Sequence, residues 1–480
     1  MWRDESVTWQ VAHRPLGALW ELLGQVDAVH GLYYLLMHAV FAVTGGGADE
    51  ASAGLWALRL PSVAATALAA AGVAAVAHRL AVRRAPGDGP SGDGLPADRL
   101  SGGRPPADQP SRGRPAVERG AAERAALFAG VGYAVLPPVQ MYAQEGRSYA
   151  LVAAAVIWAT YLMLRERWVG YAVVLVLGCW LHEFAVLALP AHAFTAWRSR
   201  GWRWSAAAVV AGLLPLALVS ARQAQQQLGW LGRPGWQDWA AYGVLAAAVL
   251  LLVPRRATPA AAAARDLVRV ALPLALLPPG VLLAVSLVHP WYVDRYVLYS
   301  LAGPALLAGT RLAQVRRPVR ARDRWPWLVA VVLLVPVGFW SAWLRTPESR
   351  KDDALAVAAA VRERARPGDA VLFMPARRRE WLLSSPEVYG SLRDPALART
   401  PAASRSLQGV ERTAQEIREA LLDPATERVV ALLDPSGQPL DGDPAEAVKR
   451  QTLVSSFDLC SVTEVRGARV ALFARPGGCR

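Results

Sequence analysis

The sequence has few of the residue patterns that mark the common soluble enzyme chemistries. Among 480 residues it has three cysteines, Cys179, Cys460 and Cys479, and no Cys-x-x-Cys pair, so no zinc pattern is present. It lacks the glycine-rich loops of P-loop and dinucleotide-binding folds and the Gly-x-Ser-x-Gly turn of the α/β-hydrolases. Without these patterns, the sequence gives no support for the use of ATP or soluble nucleotide sugars, or for catalysis by a serine nucleophile.

Charge is also scarce, whereas apolar residues are abundant. Charged residues make up 19% of the chain, hydrophobic residues make up 54%, and there are 19 tryptophans. Long Ala/Val/Leu runs recur from about residue 57 to residue 345, and then they stop. This composition predicts an α-helical polytopic membrane domain over 1–345 and a soluble domain over 346–480.

The net charge of +14 is concentrated in the membrane part. Residues 346–480 hold 20 Lys and Arg against 19 acids, while residues 1–345 hold 32 against 19. Because the excess lies between hydrophobic runs, it indicates membrane topology, and no nucleic-acid partner is expected.

Ten membrane spans are predicted from the hydrophobic runs, each near the length that a bilayer requires. The apolar stretch 169–197 is flanked on both sides by arginines, so it is interpreted as two short spans joined at Leu181-His182-Glu183. The other eight spans lie near 57–78, 125–141, 147–165, 204–221, 239–254, 267–288, 296–312 and 326–344.

Loop charge orients these spans. Alternate loops carry 24 Lys and Arg on one side and 6 on the other, which predicts that the richer side is cytoplasmic. Residues 85–118, rich in Gly, Pro, Asp and Arg, are then a disordered cytoplasmic loop. Residues 1–56 and the C-terminal domain are expected outside, in the extracytoplasmic space.

Two further expectations concern the first residues. An external Met1 with no preceding signal segment favours a first helix upstream of this start, which would bring the total to eleven. Residues 31–44 are apolar but short, and they are predicted to form a helix at the outer face.

A small set of polar residues is predicted to lie at the outer face of the membrane, and these residues could form a single site. Asp4-Glu5 near the chain tip is either a solvated pair or a working site. The full set is Asp4, Glu5, Asp27, His30, Arg59, Glu145, Arg147, Tyr149, His182, Glu183, Asp238, His289, Asp294, Arg295 and Tyr296.

Several of these residues lie in segments that resemble the GT-C type polytopic glycosyltransferases, specifically the family 39-like enzymes common in actinobacteria. The similar segments, in order, are W-x-DE at 2–5, D-x-x-H-x-LYYLL at 27–36, ALRLPS at 57–62, YAQEGRSYAL at 142–151, LHEF at 181–184 and DRY at 294–296. The resemblance covers roughly 1–345. The family's usual first helix is absent, and its His-Pro-Pro appears here as His30-Gly31.

The resemblance implies transfer of a sugar, with mannose favoured, from a polyprenyl-phosphate donor to an acceptor at the outer membrane face. Inversion needs a carboxylate that takes the proton of the acceptor hydroxyl, and cations that stabilise the departing phosphate. Asp4 matches the family's base, Glu5 is its expected helper, and Glu145 is the next carboxylate. Arg147 and Arg295 are the expected phosphate ligands.

The remaining candidates for the substrate pocket are His30, Arg59, Tyr149, His182 and Tyr296. Several of the candidate site residues also have a purely structural interpretation. Arg59 and Arg147 could snorkel to the interface, Arg295-Tyr296 could be an aromatic-belt anchor, and His182 could cap a buried turn. No metal site or certain cofactor is predicted, although a divalent cation at Asp4 and Glu5 stays open.

The C-terminal domain is predicted to be a small α/β domain that covers the site, binds acceptor or serves packing alone. Helices are expected at 352–365 and 411–422, and strands at 369–374, 428–433, 452–457 and 468–473. In an oxidising outer compartment, Cys460 and Cys479 are expected to pair.

The sequence-based interpretation is therefore a GT-C-like transmembrane bundle with a C-terminal extracytoplasmic α/β domain, acting as an inverting glycosyltransferase in the cell membrane. Its partners are the lipid-linked sugar donor, membrane lipids, and an acceptor that is a protein, a lipid or a glycan. The alternatives are a lipid-linked-sugar flippase or transporter and a non-catalytic scaffold. A flippase fits less well, because no repeated halves are visible and the acids cluster at one face.

Overall fold

The computed structural model describes residues 1–45, 51–82, 114–228, 232–253, 261–314 and 335–479. Helices dominate up to residue 313, and a small mixed sheet follows. In chain order the helices of the first part are α1 Arg3–Ala12, α2 Leu16–Leu23, α3 Gly31–Thr44, α4 Ala51–Val82, α5 Arg114–Ala134, α6 Pro137–Ala143, α7 Tyr149–Leu164, α8 Trp168–Leu181, α9 Ala188–Ala196, α10 Arg200–Leu228, α11 Trp236–Leu252, α12 Ala261–Val285 and α13 Ala302–Ala313. Their apolar faces meet in one large core.

Three of the described helices are long and apolar enough to cross a membrane, at 54–82, 200–224 and 264–285. Five shorter apolar helices lie beside them, among them α7, α8 and α11. The count of ten spans stays a prediction, because length and composition alone do not decide whether these shorter helices cross. The 85–118 loop lies mostly outside the described residues, as does the first part of the span at 326–344.

The segment predicted as a span at 125–141 contains a sharp bend. The helix α5 ends at Ala134, α6 begins at Pro137, and the two are bent by 65°. Pro137-Pro138 explain the break, because proline lacks the amide that continues the helix and disfavours helical backbone in the residue before it.

The predicted break in 169–197 is confirmed. The helix α8 ends at Leu181, and a 3₁₀ segment over Glu183–Leu187 leads into α9. His182, the residue between them, has extended backbone. The predicted helix at 31–44 is also confirmed as α3, while its depth in the membrane stays a prediction.

The C-terminal domain is a four-stranded sheet with helices on both faces. Its helices are α14 Ala354–Arg364, α15 Arg379–Leu382, α16 Pro386–Tyr389, α17 Ala414–Leu422 and α18 Pro444–Ser456. Its strands are β1 Ala370–Met374, β2 Leu397–Arg399, β3 Val410–Glu411, β4 Arg428–Leu433, β5 Asp458–Val465 and β6 Ala468–Ala474. The sheet order is β1-β4-β6-β5, with β1 parallel to β4, and β2 and β3 form a separate ribbon. Alternate residues of β1 and β4 pack against α14 on one face and against α17 and α18 on the other.

One strand prediction in this domain is wrong. Residues 452–456 belong to α18 and Phe457 is its C-cap, while the start of this helix is marked by Asp443 as N-cap and Pro444 in the first turn. The strand that follows, β5, was not predicted. The predicted Cys460–Cys479 disulfide is confirmed, with the two Cα atoms 5.2 Å apart.

Candidate active site

A cavity of about 940 Å³ opens between the helical bundle and the C-terminal domain. Its bundle side is lined by Asp4, Asp27, His30, Arg147, Tyr149, His182, Glu183, Arg295 and Tyr296. Its other side is lined by residues of the C-terminal domain. Most of the polar groups expected at one face of the membrane therefore meet around one space.

Glu5 anchors the helix that carries Asp4. Its carboxylate is fully buried and accepts two hydrogen bonds from Arg59, at 2.7 Å from Nε and 2.8 Å from Nη2. It also accepts the amide of Gly146 at 3.0 Å and, as in half of a capping box, the amide of Trp2 at 3.3 Å. A Cβ at Gly146 would lie 2.4 Å from Leu58 Cγ, so a side chain there would force this loop away from Glu5.

Asp4 is held differently, at the cavity edge between two cations. Its Oδ1 lies 3.7 Å from Arg147 Nη2, and its Oδ2 lies 3.6 Å from Arg295 Nη2. Burial would raise the pKa of Asp4, but the guanidiniums of Arg147 and Arg295 outweigh burial, and the net pKa lies below its usual range. The carboxylate is thus ionised at neutral pH, close to both cations without being bound at hydrogen-bond distance.

Arg295 is oriented by aromatic rings. It belongs to the 3₁₀ segment Asp294–Leu301, and its Nε donates to Tyr149 Oη at 3.0 Å. Its guanidinium lies 5.3–5.9 Å from the ring centroids of Trp2, Tyr149 and Tyr296. The planar group is therefore fixed with one edge toward Asp4 and the cavity.

Arg147 and His30 meet a second buried carboxylate, that of Asp27. Asp27 takes a left-handed backbone conformation, with φ of 62°, and accepts His30 Nδ1 at 2.7 Å and the hydroxyl of Tyr34. Burial opposes ionisation of Asp27, but His30 and Arg147 outweigh it and hold its pKa below the usual range. The hydroxyl of Tyr34 also accepts Arg147 Nη1 at 3.4 Å, so one hydrogen-bonded chain runs from His30 through Asp27 and Tyr34 to Arg147.

Several buried polar atoms in the cavity wall have no hydrogen-bond partner among the described residues. They are Trp2 Nε1, His30 Nε2, Arg147 Nε and His182 Nδ1, all buried. Because unpaired buried polar groups are costly, their clustering around one cavity makes it suited to a polar ligand. His182 also packs its ring 4.3 Å from the centroid of Tyr296.

Glu145 is buried in the loop between α6 and α7, outside the cavity lining. Its Oε1 lies 3.7 Å from Arg350 Nη1, and its Oε2 has no partner in the part of the chain that the structure describes. Arg350 also donates through Nη2 to the carbonyls of Met141 and Gln144. Burial raises the pKa of Glu145 to about 8, even though Arg350 opposes the rise.

The structure divides the predicted site residues into two groups. Asp4, Arg147, Arg295, His30, Tyr149, His182 and Tyr296 line the cavity, whereas Glu5, Arg59 and Glu145 lie behind its wall. A divalent cation held jointly by Asp4 and Glu5 is not favoured, because Glu5 is occupied by Arg59. Among the described residues no group of three or more His, Cys, Asp and Glu side chains could hold a metal.

The C-terminal wall of the cavity was not predicted from the sequence. It consists of Lys351, Asp352, Arg377, Glu380 and the segment 406–409. No sequence signal pointed to these residues, since they lie about 350–400 positions after Asp4.

This wall also holds α1 in place. The amide of Arg3 donates to Asp352 Oδ1 at 2.7 Å, and Arg3 Nε donates to Glu380 Oε2 at 3.2 Å. Farther along α1, Gln10 Nε2 donates to the carbonyl of Leu407 at 3.1 Å. The C-terminal domain therefore contacts the helix of Asp4 along much of its length.

No protein-family model and no curated protein matches the chain. Solved structures are similar to it, among them two of one protein. The crystal structure of ArnT from Cupriavidus metallidurans in the apo state is 12% identical, with a TM-score of 0.53 over 98% of this chain and 93% of that one. A crystal structure of the same protein bound to undecaprenyl phosphate is 14% identical over the same shares, with a TM-score of 0.45.

The likeness to the apo structure shows the fold. This chain has an apolar helical bundle, in which three described helices are long enough to cross a membrane, and a small C-terminal sheet region, as the sequence predicted.

Proposed function

We propose that this protein is an inverting membrane glycosyltransferase that moves a sugar from a polyprenyl-phosphate donor to an acceptor at the outer membrane face. The observation that carries the proposal is Asp4, an ionised carboxylate at the edge of a large cavity between two guanidiniums. The GT-C-like fold supports the reaction class, and the resemblance of the sequence motifs to family 39 favours mannose as the sugar.

The donor phosphate binds between Arg147 and Arg295 in this proposal. Both guanidiniums reach the cavity, and Arg147 Nε has no partner among the described residues. Since Asp27 is bonded to His30 Nδ1, the Nε2 atom of His30 is left as a third polar contact. Two planar guanidiniums suit a phosphate with several acceptor oxygens.

Asp4 is the general base. As the acceptor oxygen bonds to the anomeric carbon, its proton passes to a carboxylate oxygen of Asp4. The bond from that carbon to the phosphate oxygen breaks, and its electron pair leaves with the polyprenyl phosphate, which Arg147 and Arg295 stabilise. Attack opposite the leaving group inverts the anomeric configuration.

Donor binding prepares Asp4 for this role. In the empty cavity the two guanidiniums hold the pKa of Asp4 below its usual range. A phosphate bound to the same groups offsets part of their charge, and the pKa of Asp4 then rises toward that of a more effective base. Proton transfer is thereby coupled to the presence of the donor.

The test is a donor assay with the full chain in lipid nanodiscs, labelled polyprenyl-phosphate-mannose and a cell-envelope acceptor fraction. We expect labelled product of inverted anomeric configuration, release of polyprenyl phosphate, and less transfer from the glucose- and arabinose-linked donors. Asp4→Asn should abolish most transfer, whereas Asp423→Asn, an exposed control in the C-terminal domain, should retain it. Parental transfer by Asp4→Asn would refute the assignment of the base.

A further inference from the structure

Two smaller pockets of the C-terminal domain adjoin the main cavity on different sides. One, of about 400 Å³, shares Gln408 and Gly409 with it. The other, of about 300 Å³, shares Arg3, Lys351, Asp352 and Arg377. The two small pockets have no lining residue in common, so they extend the cavity separately.

The sheet shows how the pockets are arranged. The strands β1 and β4 are parallel, their carboxyl ends meet at Met374 and Leu433, and Arg469 near the start of β6 is paired beside them. Ala376, just after β1, lines the first pocket, while Pro435 after β4 and Gly467 before β6 line the second. Both pockets therefore lie at the edge of the sheet where β1 and β4 have their carboxyl ends.

This edge is a common place for ligands in α/β domains, because loops after the carboxyl ends of parallel strands form crevices there. Here Arg377, in the loop after β1, lines both the main cavity and the second pocket. The three spaces thus form a groove that runs along the sheet edge and passes the cavity of Asp4.

Both ends of the groove offer hydrogen-bonding side chains. In the first pocket Glu446 is 3% exposed, and its Oε1 accepts the amide of Ala376 and the ammonium of Lys449. Its Oε2 has no hydrogen-bond partner in the described ranges. Glu411 and Thr413 lie in the same wall.

The second pocket combines donors with an aromatic ring. Lys351, Arg377 and Gln438 lie in its wall beside Asp352, and the Arg378 guanidinium lies 4.2 Å from the ring centroid of Trp381. Alternating donors and acceptors suit a ligand with many hydroxyls, whereas a lipid tail would need an apolar wall.

We infer that the groove binds an elongated, hydroxyl-rich acceptor glycan whose chain continues on both sides of the reacting hydroxyl. The inference rests on the proposed function and specifies its acceptor class. A glycan chain that occupies both pockets presents an interior sugar ring to Asp4. A glycan that presents its terminal ring to Asp4 would occupy the pocket on one side only and leave the other pocket empty. The sugar is therefore added as a branch and does not extend the chain.

The probes are mannose, a linear mannose disaccharide and a linear mannose hexasaccharide, given to the full chain with the labelled donor. We expect kcat/KM to rise with acceptor length and mass spectrometry to locate the new sugar on an interior ring. Ala445→Trp fills the first pocket, and Gln438→Trp fills the second. Each should lower the hexasaccharide-to-mannose ratio of kcat/KM roughly tenfold, about the loss of one charge-assisted hydrogen bond.

Matched controls lie next to each position. Ala447→Trp in α18 and Leu440→Trp place the same ring at exposed sites outside the pocket linings. They should keep the parental ratio. Two results would overturn the inference that the groove binds the acceptor. One is an equal hexasaccharide-to-mannose ratio of kcat/KM in the pocket variants and the controls, and the other is addition of the new sugar at the chain end alone.

Two further arms separate this inference from the proposed function. A serine- and threonine-containing peptide that accepts sugar where the hexasaccharide does not would overturn the glycan class and retain the transferase. Absence of donor turnover in every arm would overturn the proposed function instead. Calorimetric binding of the hexasaccharide that is lost in Ala445→Trp but retained in Ala447→Trp would still support the groove.

Discussion

Asp4 Oδ2 lies 3.6 Å from Arg295 Nη2, whereas the neighbouring Glu5 carboxylate faces away and bonds Arg59 at 2.7 Å. Two adjacent acids thus have different environments. Asp4 borders the cavity, and Glu5 is buried with four hydrogen bonds. We expect substitution of Asp4 to affect mainly catalysis and substitution of Glu5 to affect mainly stability.

Asp4→Asn should lower kcat by about 10²–10⁴-fold, because an amide of the same shape cannot accept the proton. Its thermal midpoint should fall less than that of Glu5→Gln, since the ion-pair contacts of Asp4 are 3.6–3.7 Å long, whereas Glu5 bonds Arg59 at 2.7 Å. Turnover of the labelled donor and a thermal-unfolding scan check both statements.

Glu5→Gln should show the opposite pattern. Loss of the charge paired with Arg59 is expected to destabilise the fold by about 3 kcal/mol, with a smaller loss of kcat in the molecules that remain folded. Gln415→Glu, a charge change of opposite sign at an exposed position, is a control that should leave both quantities near the parental values. A parental thermal midpoint for Glu5→Gln would contradict its anchoring role.

Arg295→Lys should raise the KM for the donor, and Arg295→Ala should raise it further. Lysine keeps the charge but loses the planar group that bonds Tyr149 and lies against three rings. Steady-state kinetics with varied donor concentration measure the effect, with exposed Arg418→Ala as control. Unchanged KM in both variants of Arg295 would remove it from the phosphate site.

Glu145 should make stability depend on pH. Its folded pKa of about 8 lies above its ordinary value of 4.5, so folding retains a proton that the unfolded chain releases between these values. The contribution of Glu145 is full below about pH 4.5 and is lost as pH rises through 8. Thermal midpoints measured from pH 5 to 9 should fall less in Glu145→Gln than in the parent, while exposed Glu419→Gln should follow the parent. Parallel curves for parent and Glu145→Gln would contradict this.

The proposed orientation can be tested by labelling single cysteines from outside the cell. Ser436→Cys, at an exposed position of the C-terminal domain, should react with a membrane-impermeant maleimide, whereas Ser111→Cys should not. The reason is the excess of 24 over 6 basic residues in the loops assigned to the cytoplasm. Native Cys179 is buried and serves as the unreactive background. The reverse pattern would place the cavity in the cytoplasm.

The sequence by itself predicted the helical fold, the C-terminal α/β domain and most of the polar residues on the bundle side of the cavity. Hydrophobic runs are local properties, and they predicted the helices without knowledge of their neighbours. They did not predict the bend at Pro137-Pro138. They also predicted a strand at 452–457, although the capping signal of Asp443-Pro444 starts a helix that continues to Ser456.

Only the tertiary structure showed the different surroundings of Asp4 and Glu5, since adjacent residues of a helix point in different directions and the arginines paired with them lie 54–291 residues away. It also placed Arg59 and Glu145 behind the wall and brought Asp352 and Arg377 to the cavity. Contacts between distant segments depend on how the whole chain packs. The physical reason is that a side chain's chemistry is set by burial and nearby charge, and neither quantity is a local property of the sequence.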